Sequence, residues 1–177
     1  WICTYWEGID YFNKQTGTFT HYNTETVTGL ASNHIWTVAD GGNGLLYVGH
    51  AHEGFSVLSI KQRQAKKFVH NPQDANSLPG NEVTCVYKDK NGNIWVGTNQ
   101  GLALFNPEAE NFISFNDKQH NISHRIYDIH QLDNNKLWIA MEFEGVGILD
   151  LSQHLYHAAD QLHLTLLKEG DDEYASL

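Results

Sequence analysis

Apolar residues in this chain come in short bursts that alternate with polar ones and stop at Gly, Asn, Asp or Pro. None of them repeats at the 3.6-residue spacing of an amphipathic helix. Around the middle of the chain the pattern predicts a first strand over Glu82–Tyr87 and a hairpin loop over Asp89–Asn93. Asn and Gly in such a loop accept positive φ cheaply. A second strand follows over Ile94–Gly97, then a turn at Asn99-Gln100-Gly101 and a third strand over Leu102–Phe105. A turn at Asn106-Pro107-Glu108 leads to a fourth strand over Asn111–Phe115.

The same unit recurs. Leu46-Tyr47-Val48-Gly49, Ile94-Trp95-Val96-Gly97 and Leu137-Trp138-Ile139-Ala140 align, and Trp1-Ile2-Cys3 opens the chain in the same register. A glycine follows each aromatic at Gly8, Gly54, Gly101 and Gly145, and each leads into a further apolar strand. The aromatic anchors Trp1, Tyr47, Trp95 and Trp138 are spaced by 46, 48 and 43 residues. That period fits a four-stranded propeller blade, and the strand-like pattern rules out helical repeats of similar length. Asp40-Gly41-Gly42-Asn43-Gly44 matches the first hairpin loop, and Asp133-Asn134-Asn135 is a shortened version. Phe19–Tyr22 and Lys67–His70 match the fourth strand. Small residues at Cys3, Gly49, Gly97 and Ala140 fit strands crowded near a propeller axis, where the anchoring aromatics wedge between blades.

The expected fold is therefore all-β: a partial β-propeller of about four four-stranded antiparallel blades, the first lacking one strand. The blades fall at about 1–32, 33–80, 81–123 and 124–177. After Leu151 the pattern departs, with Ser152–Gln161 reading as a longer loop before a strand over Leu162–Leu167. Four blades leave open sheet edges, a hazard for solubility. Either the remaining blades of a longer parent chain cover them, or two copies pair as a homodimer. The opening Trp1-Ile2-Cys3-Thr4, without an initiator Met, also reads as a piece of a longer protein.

Charge narrows the chemistry. With 11 basic and 21 acidic residues the formal net charge is −10, which repels phosphate backbones and argues against nucleic acid. The densest basic stretch, Lys61, Arg63, Lys66 and Lys67, reads as a solvated edge strand. No apolar run reaches the roughly 18 residues that cross a bilayer, so no direct membrane contact is expected. Cys3 and Cys85, two repeats apart, give neither a disulfide framework nor metal-ligand spacing.

The run Asp89-Lys90-Asn91-Gly92-Asn93-Ile94-Trp95-Val96-Gly97-Thr98-Asn99-Gln100-Gly101-Leu102 resembles the two-component regulator propeller repeat: a strand, an Asp-Xaa-Xaa-Gly-Asn turn, Leu-Trp-Ile-Gly-Thr, then Gly-Leu. The likeness extends over nearly the whole chain, with Tyr47 in place of Trp and Ala140 and Cys3 in place of Gly. It implies the periplasmic sensor region of a Bacteroides-type hybrid two-component system, in which the propeller senses an oligosaccharide and a separate histidine kinase core responds. None of that kinase machinery lies in these residues, so no enzyme activity is expected of them.

The turn between second and third strands differs most from blade to blade while its flanks stay fixed, as in a binding loop on a rigid scaffold. It supplies Tyr5, Trp6 and Glu7; His50, His52 and Glu53; Asn99 and Gln100; and Glu142, Phe143 and Glu144. Sugars are held by aromatic faces and planar hydrogen-bonding groups, and this set contains both. The alternative is a solvated rim. His50 and His52 would share a face of an extended strand, but a third ligand at fixed spacing is missing, so neither metal nor cofactor is expected. Glu142 and Glu144 invite comparison with a glycosidase pair, yet neither sits in an apolar setting that would raise its pKa. A propeller that binds proteins rather than sugars is the rival to ligand sensing.

Overall fold

The computed structural model describes residues 1–115, 122, 124–132, 135–151 and 164–167. It contains four antiparallel sheets. The first holds β1 (Ile2–Cys3), β2 (Ile9–Asn13) and β3 (Thr18–Tyr22) in that order. The second holds β4 (Ile35–Gly42), β5 (Leu45–His50), β6 (Phe55–Ser59) and β7 (Gln64–Phe68). The third holds β8 (Val83–Lys88), β9 (Ile94–Thr98), β10 (Gly101–Asn106) and β11 (Asn111–Ser114). The fourth holds β12 (Ile126–Gln131), β13 (Lys136–Met141), β14 (Gly145–Asp150) and β15 (Leu164–Leu166). This is the partial propeller expected from the repeat, with the first sheet one strand short.

Two local differences have physical causes. In the second sheet, β4 runs through Asp40 to Gly42 with a register shift between those residues, and only Asn43-Gly44 turns. Both turn residues have positive φ, 51° and 78°, as a tight two-residue hairpin requires. Tyr47 carries no indole N–H there to draw Asp40 inward, and Asp40 stays exposed, accepting from the Gly42 amide. The fourth strand of that sheet also starts earlier than the Lys67–His70 match suggested, at Gln64. It is an outer strand, with Lys66 and Lys67 exposed. The long loop at 152–161, two residues of the shortened hairpin (133 and 134) and the start of the last strand lie outside the described residues.

The core lies between sheets rather than within any one of them. Ile9, Val27, Leu30, Ile35 and Leu46 fill the space between the first two. Tyr47, Phe55, Val83, Phe105 and Phe112 fill the next. Trp95, Leu104, Phe115, Ile126, Ile129 and Leu137 fill the last. Trp95 is fully buried there, whereas Trp138 is half-buried and Trp1 lies exposed against Tyr11 and Tyr22. β4 packs on β8 and β8 on β12.

The close approach explains the small residue on each second strand. A Cβ built on Gly49 would lie 2.6 Å from Val83 Cγ1, and one on Gly97 would lie 2.8 Å from Ile126 Cγ2. Val83 and Ile126 are the first strand residues of the following blades. Gly8 and Gly54, which open the third strands, have φ of 91° and 82° and abut the Tyr22 and Phe68 carbonyls. A side chain there meets both backbone strain and a clash.

Candidate functional site

In each complete sheet the beginning of the first strand pairs with the end of the second: Ile35 with His50, Val83 with Thr98, Ile126 with Met141. The turns between second and third strands therefore gather at the end where β4, β8 and β12 begin. Each first strand carries one extra residue at that end. The register steps from Ile35 to Thr37, from Val83 to Cys85 and from Ile126 to Asp128. The unmatched residues are Trp36, Thr84 and Tyr127. A β-bulge re-aims a side chain, and bulges favour binding and active sites; here the device repeats in three blades.

The bulges and turns meet. Tyr5 stacks on His34 with ring centres 5.0 Å apart and planes 2° from parallel, and Trp6 meets His34 edge-on at 4.6 Å. The Trp36 ring lies 6.3 Å from the tilted His52 ring and 6.0 Å beneath the Arg125 guanidinium. Arg125 donates to the Glu82 carboxylate, and Glu82 accepts the Asn99 amide through its carbonyl. In the fourth blade His124 meets Phe143 edge-on at 5.8 Å and lies 3.6 Å from Glu144, while the Tyr127 hydroxyl donates to Glu142 at 3.5 Å. The result is a rim across all four sheets on which Tyr5, Trp6, Trp36, Tyr127 and Phe143 are all exposed.

Phe143 is unusual in two ways. It is 86% exposed, and it sits at φ +68°, where a bulky side chain is strained. The Glu144 amide donates to the Glu142 carbonyl at 2.9 Å across it, closing a three-residue turn of the rare, strained hand. Such strain collects at binding sites.

The turn residues singled out in the sequence do not all belong to this rim. Tyr5, Trp6, Glu7, His52, Glu53, Gln100, Phe143 and Glu144 are exposed there, and Asn99 and Glu142 are half-buried. His50 is not on the surface. It is fully buried, its Nε2 lies 2.9 Å from Ser56 Oγ, and it points away from the exposed His52. Burial, helped by the Lys67 charge and opposed by Glu53, drives its pKa down to about 4. Glu53 is held by Lys67 at 2.8 Å, and that hydrogen bond lowers its pKa. Among the described residues no group of three or more His, Cys, Asp or Glu side chains is placed to hold a metal ion. Cys85 is buried, its thiol pushed up to about 12 by desolvation, which leaves it a packing group.

Sequence reasoning missed His34, Trp36, Glu82, Arg125 and Tyr127. The signal was present: Ile35, Val83 and Ile126 align as buried anchors, and the residues on either side of them change chemistry from blade to blade. Away from the rim, at the hairpin end, a cleft of 340 Å³ opens between the second and third sheets over Tyr47, Phe68 and Phe105, with Lys66 and Glu110 paired at its edge.

Residues 77–100 match the family model described as two component regulator propeller. The chain is 45% identical to the extracellular domain of a B. thetaiotaomicron protein described as a hybrid two component system, over 98% of this chain and 20% of that one, with a TM-score of 0.78. A second B. thetaiotaomicron extracellular domain, described as that of a one component system, shares the fold at 18% identity, covering 95% of this chain and 22% of that one with a TM-score of 0.69. Histidine kinase P4 of Formosa agariphila is 34% identical over 89 residues, 46% of this chain and 6% of that protein. The chain thus spans about a fifth of the extracellular domains it matches and far less of the kinase. Nearly its whole length matches part of an extracellular domain. By its repeat, its fold and these likenesses, the chain is a segment of β-propeller similar to the extracellular domains of two component systems, and one of its repeats matches the two component regulator propeller model.

Proposed function

We propose that this chain is a ligand-sensing segment in the extracytoplasmic, specifically periplasmic, part of a hybrid two-component sensor histidine kinase. It recognises an oligosaccharide released from a glycan, and its parent controls glycan-utilisation genes. The observation that carries this reading is the aromatic rim. Five exposed rings from three blades stand at one end of a rigid scaffold, set among carboxylates, imidazoles and the amides of Asn99 and Gln100. Sugar rings offer flat apolar faces ringed by hydroxyls, which is the complement of such a surface. The strained Phe143 turn supports the same end.

A thermal melt against plant, microbial and host-glycan oligosaccharides tests it. A ligand at 100 times its dissociation constant adds about 2.7 kcal/mol to the stability of the folded state, and the shift should vanish in a Trp36→Ala, Phe143→Ala double variant. A full panel without a shift would refute the sugar reading.

A second role rests on a different surface. Ile2 is 46% exposed and Phe12 38%, although Val48, Val96 and Ile139 at the first position, and Leu58, Phe105 and Leu149 at the second, are almost fully buried between blades. This face of the first sheet suits docking of a further blade of the parent chain, or of a second copy of the segment as a homodimer. The blade limits at about 1–32, 33–80, 81–123 and 124–177 belong to the same proposal.

A further inference from the structure

The rim's charge bears on which oligosaccharides it takes, an inference that rests on the sugar-binding reading above. Among the described residues its two permanent cations are already engaged: Arg125 is held by Glu82 over the Trp36 ring, and Lys67 is held by Glu53. Three further carboxylates, Glu7, Glu142 and Glu144, stand beside the exposed rings, with His34, His52 and His124 among them. Among the described residues a uronate or sulfate arriving here finds the arginine and the lysine already paired and meets the carboxylates beside the rings, in a chain of net charge −10. A hydroxyl finds the opposite: ionised carboxylates are pure acceptors and each can take hydroxyl protons on two oxygens. We infer that the rim is built for neutral oligosaccharides and discriminates against uronate-bearing or sulfated ones.

The test is calorimetric titration of this chain, at low ionic strength and neutral pH, with two sets of tetrasaccharides. The neutral set comprises xylo-, arabino-, galacto- and cello-tetraose; the anionic set comprises tetragalacturonate and a sulfated heparin tetrasaccharide. The expected result is binding by at least one neutral sugar about tenfold or more tighter than by either anionic one, with the gap narrowing as added salt screens the repulsion. Equal or tighter binding of an anionic sugar would overturn the inference while leaving the sugar-sensing reading intact. Silence from both sets would overturn both.

Discussion

The indole Nε1–H of Trp95 donates to Asp89 Oδ2 at 2.9 Å, joining the blade's wedge to the hairpin that precedes it. The same buried carboxylate accepts the Asn93 side-chain amide at 2.7 Å and the Asn91 and Asn93 backbone amides at 2.9 and 2.8 Å. One aspartate thus closes the turn and fixes the ring that fills the space between third and fourth sheets. Asp89→Ala leaves four donors without their acceptor and should lower stability by about 3 kcal/mol; Asp89→Asn should lose less. Denaturant unfolding measures both, and a loss for the alanine variant within 0.5 kcal/mol, about the scale of a neutral surface change, would refute this role.

The Gly97–Ile126 contact joins two blades directly. Gly97→Ala places a methyl 2.5 Å from Cys85 Sγ and 2.8 Å from Ile126 Cγ2, so it should destabilise by about 1–3 kcal/mol. Ile126→Ala, which removes the Cγ2 that the new methyl meets, should cost less in the Gly97→Ala chain than in the parent, because the two residues share one space. Strict additivity in the double-mutant cycle would show that the contact is not the cause.

His50 makes the fold sensitive to acid. Its folded pKa of about 4 lies below the ordinary value of 6.5, so the fold favours the neutral ring. Its contribution is complete above pH 6.5 and declines as the pH falls toward 4, because only the unfolded chain takes up the proton in that window. The shift corresponds to at most about 3 kcal/mol. His50→Gln should flatten that part of the stability-against-pH curve while costing stability at neutral pH. Parallel curves for the two proteins between pH 7 and 4 would argue against it.

Phe143 should separate stability from binding. Phe143→Gly relieves the positive φ, so it should stabilise by up to about 1 kcal/mol even after the entropy cost of glycine is counted. The same change removes an exposed ring from the rim and should weaken oligosaccharide binding about tenfold, the scale of one aromatic contact. A variant that is both less stable and equally tight would contradict the assignment on both counts.

The sheets were legible because period-two alternation and the Asp-Xaa-Xaa-Gly-Asn turn are local signals, and the Asp89–Trp95 geometry shows how local they are. The rim was legible only by halves. Turn residues such as Trp6 and Phe143 stand out by varying between fixed flanks. Trp36, Arg125 and Tyr127 did not, because a bulge breaks the alternation that would have placed them. His50 was read as a loop residue since its polarity suits a turn, yet the β5–β6 pairing turns it inward to Ser56. Only the third dimension tells the two histidines of His50-Ala51-His52 apart.

The Gly49–Val83 and Gly97–Ile126 contacts have a consequence for how such a protein changes over time. The second and third units carry a socket on the second strand, the third and fourth carry a plug at the start of the first, and each plug fits the socket of the unit before it. Copying one whole unit in tandem delivers a matching joint on both sides, so the array can grow by duplication without a new interface having to arise. A substitution in a socket, by contrast, is felt by the neighbouring unit first. Ring size in such a protein can drift in whole blades, while each joint remains tied to a residue some thirty positions away in sequence.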